Sequence, residues 1–284
     1  MDYYNDIEKE KYITIKNNLQ RILNTKAWDG RWYKRAITDN NEVLGSIDSE
    51  ECKIDSISQS WAVISEAGEN DKKFISLESV ENYLVDKENG IIKLFWPAFE
   101  KGKVNPGYIK AYTAGMRENG GQYTHAAIWY IMALTKLGFG DKALQYFRMI
   151  SPIEHSNSKQ NIEKYKVEPY VITADIYSTK GLEGRGGWSW YTGSASWFYK
   201  VAIENILGFN IKNNEIIMNP VISKNWKGFE IQYKYKTSIY NIKVNNYNMK
   251  NTGVQKVIVN GEEVNENKIR LIDNGKIYNI EIFM

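Results

Sequence analysis

The sequence is poor in the residues that build covalent and metal scaffolds. Of 284 residues one is cysteine, Cys52, and two are histidine, His125 and His155. A single thiol excludes an internal disulfide framework and a Cys-rich zinc site, and two imidazoles argue against a His-based metal centre. Cys52 therefore reads as a small packing residue. Charge of one sign is also missing: 37 Lys and Arg face 34 Asp and Glu, a net +3. That balance speaks against nucleic acid or an anionic membrane surface as a partner. No run approaches the roughly 20 apolar residues that span a bilayer. The opening MDYYNDIEKEKY is acidic and polar and so is not a secretory signal. The expectation is a soluble, cytoplasmic protein without a metal or organic cofactor.

What remains is ordinary for a globular chain, 43% apolar and 25% charged, with length for about two domains. Aromatic residues make up 13%, with nine Trp and twenty Tyr. Their flat faces and polar handles suit both core packing and stacking on sugars.

Periodicity divides the chain near residue 210. Before it, apolar residues recur at helical spacing. Tyr12, Ile15, Leu19, Ile22 and Leu23 form one such series, and Ile54, Ile57, Trp61 and Ile64 another, with further helices at 74–85, 122–137 and 141–150. Ser194 to Leu207 aligns Trp197, Phe198, Val201, Ala202 and Ile206 and stops at Gly208. Stretch 68–75 is polar and unremarkable, and His155 reads as a surface residue of a Ser/Asn-rich loop, with a place lining the cleft as the alternative. Helices joined by long loops suggest a helical bundle or barrel with function on the loops. After residue 210, short strand-like runs at 216–218, 229–235, 240–244, 257–259, 269–272 and 278–283 alternate with Asn-Gly and Lys-containing turns. They predict a small antiparallel β domain over 211–284. This part carries eleven Lys/Arg against seven Asp/Glu, a tilt ascribed to lysines that keep strand edges soluble.

Three segments mix glycine, aromatic and polar residues. In Arg117-Glu118-Asn119-Gly120-Gly121-Gln122-Tyr123-Thr124-His125, a glycine pair precedes an apolar helix. Open N–H groups at a helix start attract anions, and His125 lies in that first turn; a hydrogen-bonded core histidine is the plain alternative. In Tyr165-Lys166-Val167-Glu168-Pro169-Tyr170, the proline pushes Glu168 out of helical conformation, so its carboxylate opens a new element; an N-terminal helix cap is the plain alternative. In Gly184-Arg185-Gly186-Gly187-Trp188-Ser189-Trp190-Tyr191-Thr192-Gly193-Ser194, glycines and tryptophans lead into Thr-Gly-Ser at a helix start. A hydroxyl and free N–H groups then stand beside aromatic walls, an arrangement suited to phosphate next to a sugar.

These segments carry a resemblance. AWDGRWYKRA at 27–36, IDSISQSWAVIS at 54–65, PGYIKAY at 106–112, RENGGQYTHAAIW at 117–129, YKVEPYV at 165–171 and GRGGWSWYTGSASW at 184–197 resemble the C-terminal part of glycoside hydrolase family 94. That family holds the cellobiose and chitobiose phosphorylases, and the likeness is strongest to the C-terminal region of cyclic β-1,2-glucan synthases. The resemblance implies a mainly α fold: the C-terminal half of an (α/α)6 barrel over 1–210, then the β domain at 211–284. It implies inverting phosphorolysis of a β-linked gluco-oligosaccharide, with inorganic phosphate as co-substrate and α-glucose 1-phosphate as product. An inverting hydrolase needs an acid and a base about 6.5–9.5 Å apart; in a phosphorylase phosphate replaces the base and its water. By motif, His125, Thr192 and Gly193 match the family's phosphate-binding positions, and Glu118, Gln122, Glu168 and Trp190 are candidates for sugar contacts.

The family's general acid is an aspartate in an Asp-Trp-Asn-Asp-Gly type motif upstream of the matched region, and these residues contain no such motif. Trp28-Asp29-Gly30 matches a different block, so Asp29 is expected to build a turn. No catalytic residue is therefore assigned within the chain. A half-barrel would leave an apolar face to pair with an upstream segment or a second copy. Two further readings stay open: a non-catalytic carbohydrate-binding remnant, and plain hydrolysis with Glu168 as the base.

Overall fold

The first apolar series lies within α1 (Asp6–Thr25) of a computed structural model that describes residues 6–264 and 266–284. Met1–Asn5, the start of the polar N-terminal stretch, lie outside the described residues. Tyr12, Ile15, Leu19 and Ile22 of α1 are all exposed, Leu19 by 62%. Ile15, Leu19 and Ile22 thus form an apolar stripe that is exposed among the described residues.

The helices that follow keep the expected positions but not all of their bounds. α2 (Ser56–Ile64) starts two residues late because Ile54–Asp55 pairs with Phe95–Trp96, and the Asp55 carboxylate caps the helix by accepting the Ile57 N–H at 2.8 Å. Arg35 Nε lies 3.3 Å from that carboxylate, which burial pushes up to about 6. α3 (Asn70–Leu84) begins inside the polar 68–75 stretch, four residues before the expected start at Phe74. Its first turn is largely solvated, so no apolar period marks it. α4 (Thr124–Lys136) begins after Gln122–Tyr123, which pairs instead with Asp175–Ile176. α5 (Gly140–Met149) follows the Gly138 break.

The Ser/Asn-rich stretch is not all loop. Ser158 caps α6 (Lys159–Tyr165) by accepting the Asn161 N–H at 3.1 Å. His155 is buried, not at the surface, with its ring stacked 4.9 Å from that of Tyr165. Burial lowers its pKa to about 4, so it is a neutral core residue near pH 7. α7 (Ser194–Lys200) continues as a π-helical turn, Val201–Ile206. Gly208 ends it at φ +69°, where any Cβ would strike the Asn219 and Pro220 main chain.

The chain divides into two compact units, Met1–Ala133 with Met149–Ser194, and Leu134–Arg148 with Ala195–Met284. In the first, Trp32, Tyr33, Ile54, Val80, Leu84 and Tyr130 are among the fully buried side chains. Cys52 packs there with Phe95, Phe99 and Ala126, and burial pushes its thiol pKa far up. In the second, a three-stranded sheet (268–270, 215–218, 209–212) accompanies a five-stranded one ordered 228–235, 238–245, 277–283, 256–259, 262–264. Tyr240, Ile242 and Val244 alternate with outward Asn241 and Lys243, and Ile280 and Ile282 with Asn279 and Glu281. One pairing departs from the antiparallel expectation. The 238–245 and 277–283 strands run parallel, Ile242 opposite Ile280, because the intervening chain contributes the 256–259 strand on the far side, antiparallel to the last.

Candidate active site

The candidate site belongs to the first unit, where loops from three sequence segments converge. The 115–121 turn is set by Asn119, whose buried amide accepts the Phe99 N–H and donates to the Phe99 and Tyr112 carbonyls, each at 2.8 Å. That lock turns Arg117 into the left-handed region at φ +48°. Its guanidinium lies 5.6 Å from the centre of the Tyr112 ring and 6.0 Å from that of Trp188. Its Nε is 3.9 Å from Glu118 Oε2, a buried oxygen with no hydrogen-bond partner.

His125 enters on the first turn of α4, its ring stacked 5.5 Å from that of Tyr123. Burial lowers its pKa, so the imidazole is neutral near pH 7. Its Nδ1 is buried without a partner. Nε2 is the ring nitrogen turned toward the glycine-rich loop.

The glycine-rich loop lies opposite. Thr192 Oγ1 accepts the Ser194 N–H at 3.1 Å, capping α7, while Ser194 Oγ reaches the Thr173 carbonyl at 3.4 Å. A Cβ on Gly193 would stand 3.0 Å from His125 Nε2. Two expected phosphate positions, 68 residues apart in sequence, are therefore neighbours, and the glycine is what lets them approach. Neutral N–H groups, a hydroxyl and the start of α4 together suit an anion with several acceptor oxygens.

Beside them Glu168 opens a turn instead of capping a helix. Its carboxylate accepts the Trp190 indole N–H at 3.0 Å and the Ser189 hydroxyl at 3.4 Å. Its own main-chain N–H, then the indole, hold its pKa below the ordinary value, so it is ionised near pH 7. Trp190 takes φ +72° and is 64% exposed. A bulky residue held in that region marks local strain, of a kind that clusters at functional sites. Tyr170, Trp188 and Tyr191 are exposed around it, a group of rings suited to stacking on a saccharide.

The remaining expectations separate. Gln122 is fully buried, its carbonyl oxygen accepting the Ile92 N–H at 2.9 Å, so its placement offers no face to a ligand. Asp29 builds a turn, accepting the Arg31, Trp32 and Ile47 N–H groups. One residue escaped the sequence reading. Asp175 is 1% exposed, accepts the Trp188 N–H at 3.0 Å, and keeps its second oxygen without a partner. Its only sequence signal is a carboxylate inside the apolar run Val171–Ile176. Among the described residues no three His, Cys, Asp or Glu side chains are grouped to hold a metal ion, and no helix is long and apolar enough to cross a membrane.

Residues 2–208 match the Glycosyl hydrolase 94 superfamily, catalytic domain; the chain belongs to that family. It is 42% identical over 226 residues to the cyclic β-(1,2)-glucan synthase NdvB of Rhizobium meliloti (strain 1021), covering 80% of this chain and 8% of that protein. It is 30% identical over 258 residues to the N,N'-diacetylchitobiose phosphorylase of Vibrio furnissii, covering 90% of this chain and 32% of that protein. It is 25% identical over 294 residues to the 1,2-β-oligoglucan phosphorylase of Listeria innocua, covering 89% and 25%. The chain thus spans about a third or less of the length of these relatives. These relatives are named as phosphorylases and a glucan synthase.

Proposed function

We propose that this chain is the C-terminal portion of an inverting β-glucoside phosphorylase or related glucan-processing glycosyltransferase. Residues 1–210 would form the C-terminal half of an (α/α)6 barrel and 211–284 a small β domain. The substrates are a β-linked gluco-oligosaccharide and inorganic phosphate, and the product is α-glucose 1-phosphate. The observation that carries this reading is the approach of His125 Nε2 to Gly193 beside the Thr192 hydroxyl. A neutral imidazole, a hydroxyl and helix-start N–H groups gather neutral donors, which is what an anionic nucleophile such as phosphate needs. Glu118, Glu168 and Trp190 supply acceptors and a stacking face for the sugar.

The general acid, in this reading, is an aspartate of a segment N-terminal to the matched region. The exposed apolar stripe of α1 supports a half-barrel that pairs with such a segment. The test is the melting temperature of the chain against inorganic phosphate and glucose 1-phosphate. Both are expected to stabilise it, and His125→Ala to abolish the effect. Saturable binding of a β-gluco-oligosaccharide with no phosphate effect would instead establish a carbohydrate-binding remnant. Once the upstream segment is supplied, release of glucose 1-phosphate is expected; release of glucose would point to hydrolysis with Glu168 as the base.

A further inference from the structure

Asp175 has a chemistry that the site as described leaves unused. It lies on the short Asp175–Ile176 strand opposite Tyr123, beneath the glycine-rich loop. Three contacts hold that loop to it. Its Oδ1 accepts the Trp188 N–H at 3.0 Å, its main-chain carbonyl accepts the Gly187 N–H at 2.9 Å, and its carboxylate fills the space where a Gly187 side chain would be, 2.5 Å from a built Cβ. The adjacent Ala174 N–H donates to the Trp188 carbonyl at 2.7 Å. Asp175 and Ala174 between them fix both main-chain polar groups of Trp188, whose ring faces the Arg117 guanidinium and which stands two residues before Trp190.

The second carboxylate oxygen has no hydrogen-bond partner although the residue is 1% exposed. A buried carboxylate normally spends both oxygens on donors. Burial pushes its pKa up; the Trp188 N–H, the Arg117 guanidinium and the nearby Arg117 main-chain N–H favour its ionised form, and the Glu118 carboxylate opposes it. The Arg117 guanidinium has no hydrogen-bond acceptor among the described residues; its one polar contact is Glu118 at 3.9 Å. The Asp175 carboxylate thus lies buried against the Gly187–Trp188 main chain and the half-exposed Arg117 guanidinium against the Trp188 ring, with no side-chain bond between the two. The phosphate-facing end of the loop is anchored separately, through Thr192, Ser194 and Thr173.

Resting on the functional reading above, we propose that Asp175 is a positioning residue for saccharide binding. Its carboxylate sets the height of the Gly187–Trp190 strip, and with it the Trp188 ring and the Arg117 guanidinium, while leaving the phosphate positions to their own anchors.

The test is a pair of binding measurements on the full chain, with inorganic phosphate and a β-1,2-linked gluco-oligosaccharide as probes, read by melting temperature and tryptophan fluorescence. Asp175→Asn keeps an oxygen for the Trp188 N–H and removes the charge. It is expected to raise the half-saturating saccharide concentration about tenfold, as the loss of one charge-assisted contact would, and to leave that for phosphate within about a factor of two. Gly187→Ala, which presses on the same carboxylate from the loop side, should reproduce this selective loss, and Asp175→Ala in the Gly187→Ala background should recover part of it by making room. A general loosening of the fold would weaken both ligands together with the melting temperature. That result, or unchanged saccharide binding in both single variants, overturns the proposal. Absence of any response in the unsubstituted chain overturns the functional reading and this role with it, whereas a normal response unchanged in the variants overturns this role alone.

Discussion

Gly193→Ala separates a phosphate position from a merely tight turn. The added Cβ would lie 3.0 Å from His125 Nε2 and 3.6 Å from Cε1. Ordinary contact begins near 3.5 Å, so the imidazole must retreat by about half an ångström. The stability effect is small. Alanine restricts the unfolded chain by about 0.4–1 kcal/mol relative to glycine, and the displaced ring offsets part of that gain, which leaves a net change within about 1 kcal/mol. The binding effect is larger. A hydrogen bond to a charged group contributes about 1.5–3 kcal/mol, so losing most of the proposed Nε2 hydrogen bond to phosphate raises the half-saturating concentration about 10- to 100-fold. Melting temperature measured against phosphate gives that concentration through the logarithmic dependence on ligand. His125→Ala should reach the same end by deletion. The reasoning is refuted if Gly193→Ala melts several degrees lower while its phosphate midpoint equals that of the unsubstituted chain, because the glycine would then serve packing alone.

Trp190→Gly removes a side chain from φ +72° and should stabilise the fold by up to about 1 kcal/mol, while calorimetry shows weaker saccharide binding; equal affinity would dissociate the strained tryptophan from the ligand. His155 is held near a pKa of about 4 by burial, below its unfolded value of about 6.5. The unfolded chain therefore binds the extra proton first, and this group's stabilisation is lost as pH falls from about 6.5 towards 4, by up to roughly 3 kcal/mol. His155→Phe keeps a ring on Tyr165 and should flatten the difference in stability between pH 7 and pH 4.5. Comparing the two proteins cancels Asp55, whose raised pKa of about 6 acts in the opposite direction. Glu51 Oε1 accepts the N–H groups of Glu100, Lys101 and Gly102, each at 2.8 Å. Glu51→Gln should cost about 1–2 kcal/mol and make the 100–105 loop the first site of limited proteolysis; unchanged cleavage would show that the carboxylate does not pin it.

Helices with a buried or amphipathic stripe were legible because periodicity survives in any stretch of a dozen residues. Strands of two residues, such as Gln122–Tyr123 and Asp175–Ile176, have no period to read, and these are the pieces that shift the starts of α2 and α4. His155 and Asp175 are polar residues that the fold buries, and burial of a polar group depends on partners distant in sequence. The loop residues fared better. Glycine pairs and Trp-x-Trp announced the 117–125 and 184–194 segments, and the structure brings His125 and Gly193 together. Gln122 shared a segment with His125 but turns inward, since neighbours on a short strand face opposite sides.

The first unit is built from two stretches of chain, Met1–Ala133 and Met149–Ser194, with Leu134–Arg148 belonging to the other. During synthesis this order imposes a delay. At about 5–20 residues per second, Gly193 leaves the ribosome several seconds after His125. Through that interval the imidazole and the start of α4 are made but the loop that covers them is not. The proposed phosphate position is thus among the last features of the unit to close.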